Sequence, residues 1–332
     1  MESSLRVVPA ESFGAALHYF TGSKAHNIAV RKLGLARGLK INEYGVFRGT
    51  RRIAGQTEES VYAAVDLPYI EPELREYQGE LEAARRGALP RLIGLPDLRG
   101  DLHVHTSATD GRDGLREMAS AAKALGHKYL AITDHSRRVA MAHGLDSVRL
   151  AKQLDAIERL NEELRGITLL RGIEVDILED GRLDLPDSIL SRLDLVVGAV
   201  HSRFSLPRAR QTARILAAMD RPHFSIFAHP SGRLIEERAP YDVDMLAVIR
   251  KAKARGVALE LNAHPERLDL GDVHCRMAKD EGVLVAISSD AHSVDGLRAL
   301  RYGVGQGRRG WLEKGDVLNT RPLAELRRLL AR

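Results

Sequence analysis

Short apolar runs alternate with amphipathic segments along the later part of the chain, from Gly100 onward. Seven runs are rich in β-branched or apolar residues and have the length of buried strands: 101–105, 129–134, 168–177, 193–201, 224–229, 257–263 and 283–290. The segments between them have helical spacing, and in the longest of them Leu150, Leu154 and Ile157 share one face. Strands that alternate with helices predict a parallel sheet, and seven repeats favour a closed (β/α) barrel over an open sheet.

Residues 1–66 follow a different pattern and predict a small α+β domain. Two stretches predict strands, 5–9 and 41–47, and three have helical spacing, 11–20, 21–39 and 56–65. Thr57 is placed to cap the last of these helices. Residues 67–98 contain four prolines and predict an interdomain linker, because proline favours extended backbone before it. We therefore expect domains at 1–66 and 99–332.

The composition excludes several classes of protein. The chain has 332 residues, of which 44% are hydrophobic and 29% charged, as in soluble globular proteins. No run of about 18 apolar residues is present, and the first residues lack the pattern of a secretory signal. Cys275 is the one cysteine, which excludes an internal disulfide and a thiolate zinc cluster. We expect a cytoplasmic protein with no membrane partner, and a net charge of +5 permits a polyanionic partner.

The thirteen histidines matter more than the net charge, because of where they fall. Imidazole and carboxylate side chains recur at or just after the carboxyl ends of the predicted strands: His103, His105, Asp110, His135, Glu174, His201, His229, Asp290 and His292. The sixth strand ends in Asn262. Parallel barrels place their active sites at this end. A single histidine at a strand end is more often structural, but recurrence at six or more strands indicates a metal centre.

Nine nitrogen and oxygen ligands exceed what one ion takes, so we expect two or three divalent ions. A ligand set without thiolate suits manganese or zinc, with iron as a further option. Such ions bind phosphoryl oxygens and lower the pKa of a bound water, which favours hydrolysis of a phosphate ester. Three arginines also follow predicted strand ends and are either phosphate contacts or rim salt bridges: Arg203, Arg233 and Arg267.

The ordered motifs HVHT…TDG, ITDH, GIEVDI, AVHS, AHP and SDAH resemble those of the PHP (polymerase and histidinol phosphatase) family over residues 99–332. The resemblance implies a distorted (β/α)7 barrel with a trinuclear centre. It assigns one ion to His103, His105, Glu174 and Asp290. It assigns a second to Glu174, His201 and His229, and a third to Asp110, His135 and His292. Among these residues we expect Glu174, Asp290 and His201 to act in catalysis.

Residues 17–47, with the pattern YFTGS…N…R…NEY, resemble the thumb of family X DNA polymerases, and the tail 308–330 resembles the PHP domain fused to bacterial members. The resemblance implies that Tyr19, Phe20 and Gly22 approach an incoming nucleotide. It also implies that Asn27 and Arg31 contact the base edge and the template. The alternative is that the two aromatic residues belong to the core at a helix end.

One departure from the polymerase pattern is Ser4, which stands where the family has an aspartate before the Leu-Arg of the LRVV strand. Because nucleotidyl transfer needs metal-binding carboxylates, we expect this chain not to be a polymerase on its own. A separate gene product and a truncated polymerase both fit, and so does a palm-containing partner chain.

Three functions compete. The resemblance favours a manganese-dependent 3′–5′ exonuclease that processes DNA 3′ ends, gaps or abasic sites in repair. The alternative is a histidinol-phosphatase-like phosphomonoesterase, against which the thumb argues. The third is a non-catalytic DNA-binding module, against which retention of all nine ligands argues.

Overall fold

The structure is a computed structural model that describes residues 5–331, without the side chain of Ala140. Ser4 lies outside the described residues. The chain divides into two compact units, the first ending at Arg91 and the second beginning at Leu92. The predicted linker 67–98 is therefore mostly part of the first unit. Its apolar residues Ile70, Leu74 and Leu81 are buried, and burial of these side chains outweighs the extended tendency of the prolines.

From residue 5 onward, the first unit contains four α-helices, two short 3-10 helices and one small antiparallel sheet. Its elements are α1 (Phe13–Thr21), α2 (Lys24–Leu35), β1 (Lys40–Asn42), β2 (Gly45–Arg48), β3 (Arg51–Ala54), α3 (Glu58–Ala63) and α4 (Glu80–Arg85). The strand order is β1-β2-β3. Thr57 caps α3 as predicted, and Ser60 completes a capping box.

Two strand predictions in this unit need correction. Residues 5–9 form no strand in the structure, and Leu5 and Val7 are 92% and 91% exposed, because no neighbouring edge pairs with them. The predicted strand 41–47 is a hairpin, since the chain turns at Glu43 and Tyr44 between β1 and β2.

The second unit alternates strands and helices. Its elements are β4 (Gly100–Val104), α5 (Leu115–Ala124), β5 (Tyr129–Ile132), α6 (Ser147–Glu163), β6 (Thr168–Arg171), β7 (Glu174–Asp176), α7 (Asp187–Leu190), β8 (Val196–Ala199), α8 (Arg208–Met219), β9 (Phe224–Phe227), α9 (Met245–Arg255), β10 (Ala258–Asn262), α10 (Asp272–Glu281), β11 (Val285–Ser288), α11 (Leu300–Arg309) and α12 (Leu323–Leu330). Its strand pairs are all parallel.

These strands form two hydrogen-bonded sheets, β4-β5-β6 and β11-β10-β9-β8-β7. Single bridges join the sheets, from Val104 to Ala291 and from His135 to Glu174. The barrel is thus a distorted α/β barrel. The predicted third strand, 168–177, is divided between the sheets at Gly172, where a side chain would collide with the backbone of Ile132.

The interior of the barrel is apolar and is closed at one end by α12. Leu326 and Leu330 of this helix pack with Leu102, Val197 and Ile226 from the strands. The polar residues are left at the other end, where the strands finish. Within residues 5–331, no helix combines the length and the apolar character needed to cross a membrane.

Candidate metal centre

Eight of the nine predicted ligands lie at or after the carboxyl end of a strand, with Asp110 in the loop between β4 and α5, and Glu174 is the exception. His103 lies in β4, and His105 follows one residue after the strand. Residues two apart on a strand point to one side, so both imidazoles enter the same space. His135 follows β5, whereas Glu174 begins β7 because the predicted third strand is divided. The remaining ligands follow β8, β9 and β11: His201, His229, Asp290 and His292.

Glu174 lies at the middle of the centre and is 1% exposed. Its Oε1 is 2.9 Å from Nε2 of His229 and 3.2 Å from Nε2 of His201. Its Oε2 is 2.8 Å from Nδ1 of His135 and 3.5 Å from Nε2 of His103. Nε2 of His105 lies 3.7 Å from the same Oε2, so one carboxylate reaches five of the histidines.

Asp290 and Asp110 lie at two further points of the centre. Oδ1 of Asp290 is 3.1 Å from Nε2 of His105. Oδ2 of Asp110 is 3.3 Å from Nε2 of His135 and 3.5 Å from Nε2 of His292. The side chain of Asp110 is 33% exposed, against 7% for Asp290, so Asp110 marks the open side of the centre.

Among the described residues, three sets offer ligand atoms within 4.8 Å of one another. They are His105, Asp110, His135 and His292; His103, His105 and Asp290; and His135, Glu174 and His201. These sets differ from the assignment that the resemblance implies, because His105 and His135 each belong to two sets and His229 belongs to none of the three, although its Nε2 contacts Glu174. The assignment of ligands to individual ions stays a prediction.

The unpartnered atoms of the centre fit bound cations. Five buried atoms have no hydrogen-bond partner: Nε2 of His103, Nδ1 and Nε2 of His105, Nδ1 of His135 and Oε2 of Glu174. Buried polar atoms without partners are costly and rare. Ring nitrogens and carboxylate oxygens without thiolate suit borderline and hard divalent ions. The residues present therefore fit a divalent metal centre.

The pKa values show how strongly the ligands interact. Burial would raise the pKa of Glu174, but the surrounding histidines hold it well below its usual range. Burial lowers the pKa of His135, and the carboxylates of Glu174 and Asp110 outweigh this effect and raise it to about 10. Burial and two histidine neighbours lower the pKa of His105 to about 3. The carboxylates are thus held ionised by positive charge, which bound cations also supply.

Three buried carboxylates behind the ligands were not found from the sequence: Asp134, Asp176 and Glu260. Asp176 and Glu260 lie two residues from Glu174 and Asn262, so same-face spacing along a strand was the available signal. Asp134 accepts hydrogen bonds from the backbone N–H of Thr106 (2.8 Å) and from the hydroxyls of Thr106 and Thr109. It thereby holds the loop that carries Asp110.

The three predicted phosphate contacts differ in where they lie. Nε of Arg267 is 3.5 Å from Oδ2 of Asp290, beside the centre. Arg233 donates to the backbone carbonyls of Arg267 and Leu268, so its guanidinium supports that loop. Arg203 is 68% exposed and pairs with Glu179. Of the three, Arg267 is the one that contacts a predicted metal ligand.

The predicted nucleotide contacts of the first unit lie around the turn between α1 and α2. Phe20 is 50% exposed, and Arg31 is exposed on α2. Asn27 donates its amide to the carbonyls of Tyr19 (2.9 Å) and Gly22 (3.2 Å). The amide N–H group of Asn27 is therefore already used to hold the turn, and base contact by this residue stays a prediction.

Known proteins resemble both units. Residues 16–76 match the DNA polymerase beta thumb family, and residues 101–264 match the PHP domain family. The chain is 42% identical over 329 residues to the DNA polymerase/3′-5′ exonuclease of Bacillus subtilis, covering 98% of this chain. It spans only 57% of that relative's length.

Shorter relatives match a smaller share of the chain. A probable phosphatase of Thermoanaerobacter sp. is 30% identical over 203 residues, which cover 58% of this chain and 78% of the relative. A solved histidinol phosphate phosphatase of Lactococcus lactis has a TM-score of 0.45 at 15% identity. That similarity covers 62% of this chain and 94% of the other.

Proposed function

This chain belongs to the PHP family and carries a polymerase-thumb unit before its PHP domain, and from that premise we propose that it removes nucleotides from DNA 3′ ends. It is a phosphoesterase hydrolase of the PHP type. The proposed activity is a manganese-dependent 3′–5′ exonuclease that processes DNA ends, gaps or abasic sites in repair.

The observation that carries this proposal is the pairing of a buried His/Asp/Glu centre with a polymerase-type thumb in one chain. A centre of this composition suits the hydrolysis of phosphate esters, and its composition alone does not select between large and small substrates. The thumb favours a nucleic acid among those substrates. The Bacillus subtilis relative, named for both polymerase and 3′-5′ exonuclease activity, supports the same choice.

Divalent ions, when bound, would lower the pKa of a coordinated water and offset charge on the phosphoryl oxygens. His103, His105, Asp110, His135, Glu174, His201, His229, Asp290 and His292 would hold them. Glu174 keeps its charge while buried and orients the imidazoles of His201 and His229. Arg267, beside Asp290, is placed to pair with a phosphate oxygen that enters the centre.

We expect the first unit to bind the nucleic acid. Phe20 offers an exposed ring, and base stacking on such rings tolerates any sequence. Tyr19 packs edge to face on Phe20, with ring centroids 5.0 Å apart, and so supports the ring. Arg31, on the exposed side of α2, adds positive charge for the backbone.

A second candidate is a phosphomonoesterase that acts on a small molecule. The relatives described as probable phosphatases favour it, because one of them is 30% identical to this chain over 203 residues. The two candidates use one centre and differ in the substrate that reaches it.

The test uses the full chain, stripped of metal and reloaded with manganese, zinc or iron. It is mixed with a 5′-labelled single-stranded oligonucleotide and, separately, with histidinol phosphate. We expect a ladder that shortens from the 3′ end with manganese. His103→Ala should abolish it, whereas His264→Ala, a partly exposed histidine outside the three sets, should retain it. Phosphate release from histidinol phosphate with intact DNA would establish the second candidate instead.

A further inference from the structure

Two buried carboxylates stand behind the histidines of the centre and contact them on the side away from Glu174. Glu260 lies in β10 and is 0% exposed, and Asp176 lies in β7 and is 2% exposed. Neither belongs to the three ligand sets. Their contacts decide which ring nitrogen of a histidine is left for a metal.

Glu260 makes three hydrogen bonds, to His103 in β4, to His229 after β9 and to Asn262 at the end of its own strand. Its Oε1 is 2.7 Å from Nδ1 of His103. Its Oε2 accepts from the backbone N–H of His229 at 2.7 Å and from the amide of Asn262 at 3.2 Å. The same amide donates to Oδ2 of Asp290 at 2.9 Å. One carboxylate thus connects His103, His229 and Asp290.

These contacts determine where the proton of His103 lies. Both neighbours of Oε2 are N–H donors, so Glu260 acts as an acceptor throughout. In the neutral tautomer that can bind a metal through Nε2, Nδ1 of His103 donates its N–H to Oε1 of Glu260. Nε2 is left as a lone-pair nitrogen, 3.5 Å from Glu174 and 3.6 Å from Asp290, with no hydrogen-bond partner. A carboxylate that accepts from the other ring nitrogen, as Glu260 does here, orients a ligating histidine and makes it more basic.

Asp176 makes the equivalent contact with His201. Its Oδ1 is 2.8 Å from Nδ1 of His201, and Nε2 of that ring faces Oε1 of Glu174 at 3.2 Å. The backbone N–H of Asp176 donates to the hydroxyl of Ser136 at 3.1 Å, which fixes the strand beneath the carboxylate. The imidazole of His201 therefore also presents Nε2 to the centre.

The two histidines belong to different ligand sets. His103 falls with His105 and Asp290, whereas His201 falls with His135 and Glu174. We infer that Glu260 and Asp176 are positioning residues for two different ions, so that the affinity of each ion is set by its own carboxylate. This inference rests on the proposed metal-dependent function, but metal binding tests it without any substrate.

The experiment measures manganese bound to the full chain by equilibrium dialysis against manganese chloride. Three single variants are compared with the unsubstituted chain: Glu260→Gln, Asp176→Asn and the control Asp269→Asn. Asp269 is equally buried but accepts from the backbone N–H groups of Ser231 and Gly232. We expect Glu260→Gln and Asp176→Asn each to lower the binding affinity for one manganese ion by about 10- to 100-fold. The control should stay within about twofold.

The double variant of Glu260 and Asp176 decides whether the ions are separate. We expect it to lose two ions where each single variant loses one. Loss of the same single ion in Glu260→Gln, in Asp176→Asn and in the double variant would overturn the inference. An equal loss in Asp269→Asn would overturn it as well. Full retention in Glu260→Gln would overturn it as well.

Two further measurements separate a positioning role of Glu260 from a loss of folding in the glutamine variant. Glu260→Asp, which keeps the charge, should retain more manganese than Glu260→Gln when their metal-free melting curves match. In the unsubstituted, zinc-loaded chain, ¹⁵N spectra should show a proton on Nδ1 of His103, assigned with His103→Ala. A proton on Nε2 would overturn the inference. A chain that binds its ions as expected but leaves DNA intact would contradict only the proposed function.

Discussion

His18 is buried in the first unit without charge compensation, and it should make this unit sensitive to mild acid. The side chain is 3% exposed, and its Nε2 has no hydrogen-bond partner. Tyr62, His26 and Arg75 face it, and none of them offers a negative charge. Burial, with a smaller repulsion from Arg75 and His26, lowers the pKa of His18 to about 3.

The sign and size of the effect follow from proton linkage. Between pH 6.5 and 3 the unfolded chain binds a proton at this position and the folded chain does not. Stability is therefore highest above pH 6.5 and falls as the pH decreases through this window. The loss relative to pH 8 comes to about 2 kcal/mol at pH 5, which is a roughly 30-fold rise in the opening equilibrium.

Hydrogen exchange in the full chain measures this locally. We would follow a peptide covering α1 from pH 8 to pH 5 and correct for the intrinsic exchange rate. This range avoids Glu80, whose pKa is held below its usual value despite burial because His26 and backbone N–H groups stabilise its charge. His18→Asn should remove the pH dependence, whereas His143→Asn, an exposed histidine, should keep it. An unchanged opening free energy at pH 5, or an equal slope in His18→Asn, would refute the reasoning.

Three other predictions concern the second unit. Arg267→Ala should raise the KM for the cleaved substrate by roughly tenfold, because a charged contact is lost. Arg233→Ala should instead lower the melting temperature, because Arg233 donates to backbone carbonyls. An increase in KM of equal size in both variants would contradict this prediction. Gly198→Ala should lower the melting temperature by about 5 °C, because the added Cβ would collide with the ring of Phe224. Calorimetry measures this change, and an unchanged melting temperature would contradict the close packing of Phe224 on Gly198. Cys275 should react with a thiol reagent at pH 8 at least about 100-fold more slowly in the native chain than in denaturant. The reason is that its side chain is 0% exposed and that burial raises the pKa of its thiol. Rapid labelling of the native chain would contradict this burial.

The apolar pattern predicted the barrel strands well where each strand stays in one sheet. It failed at 168–177, because the pattern of buried residues is the same in one long strand and in two short ones. The close approach of Gly172 to Ile132, which divides them, depends on a neighbouring strand. The prediction of a strand at 5–9 failed for a related reason, since a strand needs a partner edge that the local sequence does not specify.

The linker prediction shows the same limit. Prolines indicate extended backbone but do not indicate whether the residues between them are buried. Ile70 and Leu74 are fully or almost fully buried in the first unit, so the division of the chain falls later, between Arg91 and Leu92. A count of apolar residues in that segment would have been the better signal.

The sequence by itself predicted the candidate ligand set, because each ligand lies in or just after a stretch that the apolar pattern marks as a strand, and parallel strands end at one face. Only the tertiary structure decided how the ligands are grouped and what stands behind them. His135 lies between two ligand sets, and Glu260 reaches His103 across 157 positions of the chain. Such contacts depend on side-chain directions and on which strands become neighbours, and the local sequence around each residue contains neither.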